Sequence, residues 1–469
     1  MKIKYHIVIT LSSILMLSSC VVGKKYTRTD LKTPEKFREE VAVTGDTVLL
    51  PWKTYYKDPL LVQLIEKALV KNNEVLVAVK NMEQLDLSYK QAKLALLPEL
   101  DLNVGAARSY QSKNSLNGSL SSQITNKDYI DDYNATLKLS WEADIWGKAA
   151  LQKRDAKASY FAQKENLSAL KTRIIVQVAK SYFNLLGLDE QLKIAVKNIE
   201  LSTNTLEMMK LQFKSGAISS LALNQTEAQK KTAELLVPQA KANIVVEENA
   251  LQILCGEYPD VVTRTGSLNE EELNTELEAG VPAILLSRRP DVKAAEYAVM
   301  SATAKTGLAK AQMYPAFSIN PSIGANTFQF ENWFNFPGSL TKSLAVNLAQ
   351  PIFKRRSLRT AYEIASIEQE KAAIEFKQSF MTAVGEVSNA MAKVKYSDER
   401  LETAIQKAES LVKAISDSSL LYKSGMASYL DVIVAQNSAL QNDLDIVNIK
   451  LEKLNASIDL YRALGGGVQ

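Results

Sequence analysis

The hydrophobic positions of this chain fall into two periods that succeed one another twice. A helix from about Leu60 to Leu97 is stopped by Pro98. Leu100, Leu102, Val104 and Ala106 then alternate with Asp101, Asn103 and Gly105, which predicts a half-buried strand. After a polar loop from about Ser109 to Lys127, a second alternation sets Leu137, Leu139 and Trp141 against Thr136, Lys138, Ser140 and Glu142. From about Ala149 to Phe213 the period changes to three and four, with a seam of Leu185, Leu188, Leu192, Ala195, Ile199, Ser202, Leu206, Met209 and Phe213. At about 1.5 Å per residue this helix would extend close to 100 Å. Lys214-Ser215-Gly216 ends it, and a return helix is expected from about Ser219 to Leu254, kinked at Pro238.

The second half repeats the order. A helix from Asp291 to Met313 stops before Pro315, and Phe317, Ile319 and Ile323 alternate with Ser318, Asn320 and Ser322. An aromatic loop, Phe328 to Pro337, leads to Leu344, Val346 and Leu348, spaced as a fourth strand. A second long helix is predicted over about Ser357 to Tyr422, with a seam running from Phe376, Phe380, Val384, Val387 and Met391 to Leu401, Ile405, Ala408, Val412 and Ile415. A last helix follows Gly425. Phe213-Lys214-Ser215-Gly216 thus precedes Tyr422-Lys423-Ser424-Gly425 by about 210 residues, too long a period for a solenoid. The chain is a duplicated half-molecule, divided as 1–19 leader, 20–59 irregular strap, 60–256 first repeat, 257–290 connector and 291–469 second repeat.

Composition removes several classes of function. The formal charge is +4, or +2 once Lys2 and Lys4 of the leader are set aside, so there is no basic footprint for nucleic acid. The leader has a positive start and an apolar stretch, Ile7 to Leu17, too short to span a bilayer comfortably. It ends at Leu17-Ser18-Ser19-Cys20, which resembles a bacterial lipobox; an ordinary signal peptide with an incidental cysteine is the alternative. With Cys20 lipidated, Cys255 stands alone, and the one histidine, His6, lies in the leader. A mature chain with no histidine and one isolated cysteine is a poor candidate for zinc, copper or triad chemistry, no cofactor beyond the lipid is expected, and the chain reads as no enzyme.

Four strands of about ten residues, apolar on one face and polar on the other, have the length of tilted membrane-crossing β-strands. Four cannot close, and an open edge in lipid leaves backbone groups unsatisfied at several kcal/mol each. If these strands lie in a membrane, the chain must oligomerise. Tyr110, Trp141, Trp146, Phe328, Trp333 and Phe353 near strand ends fit an interfacial girdle. The alternative is a small soluble sheet capping a helical coiled-coil domain.

Three motifs carry a family resemblance. Leu285-Leu286-Ser287-Arg288-Arg289-Pro290-Asp291-Val292-Lys293-Ala294-Ala295-Glu296 resembles the signature of TolC/OprM-type outer-membrane efflux factors, NodT-type lipoproteins among them. Asp144-Ile145-Trp146-Gly147 is similar to the family's strand-to-helix motif. Trp52, Asp58-Pro59-Leu60, Ala68-Leu69 and Asn72-Asn73 are similar to its N-terminal opening. The resemblance implies a mainly α fold with a membrane β portion. Three chains would share a 12-stranded barrel continuous with a periplasmic α-barrel of helical hairpins. It implies a lipid-anchored, passive exit duct in the outer membrane of a Gram-negative bacterium, coupled to a periplasmic adaptor and an inner-membrane pump of the RND type.

The resemblance also places functional residues. Asp431, six after Gly425, matches an acidic gate position, and Tyr422 a closing contact; the second acidic position is Val434 here, and the first repeat has Ala222 and Gln225. Converging Asp431 carboxylates would repel one another and favour cations. The plain readings are a solvated helix-start residue for Asp431 and a core aromatic for Tyr422. Ser215, Gly216, Ser424, Gly425 and Ala427 are expected at hairpin tips, as adaptor-docking surface or as turn geometry alone. A type I protein-secretion duct and a structural trimeric envelope scaffold remain as competing functions.

Overall fold

A computed structural model describes residues 22–23, 25–28, 33–38, 51–112, 114–116, 127–268 and 282–467. They divide into two compact units, Met1–Thr29, Glu83–Phe161 and Glu296–Ile374 in one, and Asp30–Met82, Ala162–Ala295 and Glu375–Gln469 in the other. Each repeat contributes to both.

The first unit carries one antiparallel sheet, ordered β1 (Glu99–Ser109), β2 (Ile130–Glu142), β3 (Ala316–Thr327) and β4 (Leu340–Ala349). The central pair, β2 and β3, joins the two repeats. Its register sets Leu137 opposite Ile323 and Trp141 opposite Ile319, but pairing lapses between Lys138↔Ser322 and Trp141↔Ile319. Pro321 lies in that gap and has no N–H to give the ladder. The register also sorts the two faces. Leu102 pairs with Leu137, Leu137 with Ile323, and Ile319 with Val346, so the apolar positions of all four strands share one side. That side is uncovered: Leu102 is 68% and Leu348 70% exposed. Asn103, Thr136, Gly324 and Thr341 mark the polar face. Both edge strands, β1 and β4, have one side unpaired.

The helices are α1 (Pro59–Lys71), α2 (Asn73–Lys93), α3 (Lys148–Lys214), α4 (Ser220–Leu254), α5 (Pro290–Ala311), α6 (Ser357–Lys423) and α7 (Tyr429–Ala463). The duplication is quantitative here: α3 and α6 have 67 residues each, α4 and α7 have 35 each. The offset is constant, since 357 − 148 and 463 − 254 are both 209. Pro238 lies inside α4, which continues through it as one element.

Two expectations change. The single helix over 60–97 is two, because Asn72 is extended (φ −61°, ψ 126°). Its Oδ1 accepts from Glu74 N (2.9 Å) and Val75 N (3.2 Å), starting α2, while its Nδ2 donates to Leu254 O (2.9 Å). The α6 seam is buried at Phe376, Phe380, Val387 and Met391, but Ile405 and Val412 are open and Ala404 is buried instead. Apolar periodicity marks a face that wants cover; it does not say that the same chain supplies it.

The second unit holds the main core. Leu61, Ile65 and Ala68 of α1 pack with Ile174, Ile175, Val178, Ala179 and Phe183 of α3. Tyr55 stacks on Tyr461 at 4.1 Å and donates to Ser457 O (3.1 Å). Burial pushes the Tyr56 hydroxyl well above its ordinary range and the Tyr461 hydroxyl up to about 12. The connector is tied down by Arg264, whose guanidinium reaches Asp189 of α3 (2.9 Å) and Glu248 of α4 (2.6 Å).

The end of α4 meets the end of α1 through Gly256. Its φ is +72°, and a Cβ there would stand 2.3 Å from the carbonyl oxygen of Lys71. Lys67 and Lys71 both pair with Glu257 beside it, holding that carboxyl below its usual range. Gly256→Ala is therefore expected to lower stability by about 1–3 kcal/mol. The readout is the thermal unfolding midpoint of the purified protein, and an unchanged midpoint would show the contact to be dispensable.

Candidate functional site

Both hairpin tips sit in the second unit and are built alike. At the end of α3, Gly216 N donates to Phe213 O (3.0 Å) and Ala217 N to Gln212 O (2.9 Å). At the end of α6, Gly425 N donates to Tyr422 O (3.0 Å) and Met426 N to Leu421 O (2.9 Å). The two glycines have φ of +74° and +75°, and a Cβ on either would meet nothing within 4 Å. Backbone conformation, not crowding, is what calls for glycine there. Ser215 and Ser424 donate to Gln212 O and Leu421 O, both at 2.9 Å, closing their own helix ends. Ala427 N donates to Leu421 O (3.2 Å).

Past the turns the tips diverge. Ser219 caps α4 by accepting from Ala222 N (3.3 Å). Ser428 caps α7 in a reciprocal box, in which Asp431 Oδ2 accepts from Ser428 N (2.9 Å) and Oγ (2.8 Å). Asp431 is exposed, with Val434, one turn on, also exposed. The structure thus gives Asp431 the helix-start role and leaves its carboxylate in the open. Ala222, its counterpart in the first repeat, packs instead against an apolar cluster of Met209, Tyr429, Val432 and Ile433.

That cluster joins the two tips within one chain. Tyr422 donates to Gln212 Oε1, lies 3.6 Å from Met209 Sδ, and meets the Tyr429 ring edge-on at 5.3 Å. Tyr422 is accordingly both a packed aromatic and a tie between α6 and α3. Burial raises the Tyr429 hydroxyl, and hydrogen bonds with Thr205 and Thr226 work against that rise. Further along, Asn437 Nδ2 donates to Gln229 Oε1 (3.3 Å). Sequence reasoning passed over Tyr429 and Gln212. Met209 was visible as a seam residue, but nothing in the sequence pairs Gln212 with Tyr422.

The family-motif residues start helices. Asp144 accepts from Ala149 N (2.9 Å) and Ala150 N (3.0 Å), capping α3, after Gly147 has turned the chain at φ +74°. Pro290 opens α5, where its missing N–H costs nothing. Arg289 is buried; its guanidinium donates to Asp291 (3.0 and 2.5 Å), Glu386 of α6 (2.6 Å) and Ala463 O (3.4 Å). Arg288 flanks Gly465, where a Cβ would come within 2.8 Å of it. Cys20 lies outside the described residues. Val22, two positions on, donates to Trp146 O (3.2 Å) at the strand-to-helix turn.

The model of the outer membrane efflux protein family matches residues 64–257 and 281–466. The chain belongs to that family. It is an outer-membrane protein, and the family's members are channel proteins. Among curated relatives it is similar to the pyoverdine export outer membrane protein OpmQ of Pseudomonas aeruginosa, 27% identical over 98% of this chain and 96% of that one. It is also similar to the probable outer membrane lipoprotein SilC of Salmonella typhimurium, 25% identical over 98% of both. The fold matches crystal structures of CusC that concern transmembrane channel formation, with a TM-score of 0.86, 24% identity, and 96% and 100% of the two chains covered.

Burial works to raise the Asp291 carboxyl, but the hydrogen bonds and charge of Arg289 outweigh it and hold the group below its ordinary 3.8. A depressed carboxyl contributes stability above its unfolded pKa and loses it as pH falls through the folded one. Asp291→Asn is therefore expected to lower the unfolding midpoint at pH 7, and the gap to the parent protein should narrow below about pH 4. A gap independent of pH would remove the charge from the explanation.

Proposed function

We propose that this protein is the passive outer-membrane exit duct of a tripartite efflux system, working as a homotrimer with a periplasmic adaptor and an inner-membrane RND-type pump. The observation that carries the reading is the sheet: one exposed face that is apolar over most of its length, interrupted by Lys342 opposite Ile323, one polar face, and two unpaired edges. In lipid such edges must be closed by other copies. Three chains of four strands make twelve, an even number within the range of outer-membrane barrels. The apolar face then meets lipid, the polar face lines the lumen, and the helices lie in the periplasm. Energy and cargo selection belong to the pump, so the duct needs no reacting groups. A protein-secretion duct would share this architecture, while a scaffold would not conduct.

The tips form the periplasmic entrance, with Ser215, Gly216, Ser424, Gly425 and Ala427 offered to the adaptor. Asp431 supplies the charge of the gate, and the Tyr422–Gln212 contact ties the second repeat's tip to the first. The purified protein in planar bilayers should form cation-preferring channels. Asp431→Ala should raise conductance and weaken that preference, because it removes both the carboxylate and one arm of the α7 cap. Channels with unaltered conductance and selectivity would refute the gate assignment, and no conductance at all would refute the duct.

Cys20 carries the lipid anchor. The support is the lipobox-like Leu17-Ser18-Ser19-Cys20, the relative named a lipoprotein, and the bond of Val22 to the strand-to-helix turn, at the end of the sheet. Acyl chains add about 0.8 kcal/mol per buried CH₂, so more than one chain anchors firmly. Cys20→Ser should abolish labelling of the protein by a radioactive fatty acid; retained label would place the lipid elsewhere or dismiss it.

A further inference from the structure

The two strand-to-helix turns do the same job with opposite residues. Between β2 and α3 the chain reads Ile145-Trp146-Gly147, and the left-handed position is a glycine. Between β4 and α6 it reads Ile352-Phe353-Lys354-Arg355-Arg356, and the left-handed positions are Arg355 (φ +47°) and Arg356 (φ +65°). Among the described residues these are the non-glycine residues with positive φ. A Cβ disfavours that backbone, which is why glycine is its usual occupant. Two adjacent arginines hold it here, although the first repeat shows that the turn can be made without a charge.

Contacts within the chain account for Arg356 but not for Arg355. Arg356 and Arg359 both pair with Glu363 at 3.1 Å. Lys354 and Arg355 have no carboxylate partner among the described residues, and both are exposed. From Lys354 to Glu363 there are four cations and one carboxylate, an excess of three charges in ten residues. Immediately before them, Ile352 is 94% and Phe353 82% exposed. The patch continues off the end of β4, whose Leu344, Val346 and Leu348 form part of the uncovered apolar face.

We infer that the turn Ile352–Arg356 docks an anionic phospholipid headgroup, with Ile352 and Phe353 at the margin of the acyl layer and Lys354, Arg355 and Arg356 at the phosphate. This rests on the reading of the sheet as membrane-spanning. The juxtaposition selects the partner: apolar on one side and anionic on the other is the chemistry of a lipid interface, not of a row of protein carboxylates. Glycine at these positions would suit the backbone better but would leave the phosphate without a counter-charge.

The test compares the full-length protein with the double variant Arg355→Gly/Arg356→Gly. Each is equilibrated in mixed micelles of phosphatidylglycerol and phosphatidylcholine, and retained lipids are counted by native mass spectrometry. The parent protein should prefer phosphatidylglycerol on the order of tenfold, and the variant should lose most of that preference. Because glycine fits both positions, the variant's unfolding midpoint in phosphatidylcholine should equal or exceed the parent's. No preference in the parent, or an equal preference in the variant, overturns the proposal. So does loss of the oligomer by the variant in phosphatidylcholine, which would assign the arginines to a second copy of the chain. Absence of channel conductance in the parent would instead overturn the duct reading, and the lipid counts would still decide this one.

Discussion

An antiparallel sheet of four strands with one bare apolar face and two open edges has no stable home as a single chain. In water the face formed by Leu102, Leu137, Ile323 and Val346 stays exposed; in lipid the outer edges of β1 and β4 leave N–H and C=O groups without partners. Both demands are met at once if copies join edge to edge and the apolar face turns outward. Polar residues such as Asn103 and Thr136 then share an interior, and a water-filled passage follows from the strand alternation alone.

The helices answer a second constraint, that each strand pair must continue into a helical hairpin of matched length. Equal lengths of 67 and 35 residues in both repeats, at a constant offset of 209, keep the two hairpin tips level with one another. The family-motif residues serve this geometry. Asp144 starts α3, and Arg289 with Asp291 and Glu386 fixes the start of α5 against α6. Their chemistry is that of caps and a buried ion cluster, which suits a protein whose work is to hold a shape.

Much of this was legible in the sequence. Period-two alternation located all four strands, and glycine with its flanking serine located both tips, because these signals are local. The break at Asn72 has a local part, the cap its side chain gives Glu74 N and Val75 N, and a part no local pattern shows, its bond to a carbonyl 182 residues away at Leu254. The lower half of the α6 seam misled for a different reason. Ile405 and Val412 have the spacing of buried residues, but spacing records only that a face is apolar. The tip contact was half legible: Tyr422 stood out by its place in the repeat, whereas Gln212 is one glutamine among many until the fold sets it opposite.

Two of the differences between the repeats, one at the tip and one at the strand-to-helix turn, are gains of charge in the second copy. At the tip, Ala222 is spent on packing against the Met209–Tyr429 cluster, while Asp431 points away from it. At the strand-to-helix turn, Gly147 is replaced by a run of Lys354, Arg355 and Arg356. Packing and turn geometry are satisfied without either charge, as the first repeat demonstrates. A duplicated fold that closes on itself as an oligomer needs its repeats alike in length and backbone but not in surface chemistry. The second repeat is therefore free to carry charge at both places, Asp431 at its tip and Lys354, Arg355 and Arg356 at its strand-to-helix turn, where the first has Ala222 and Gly147.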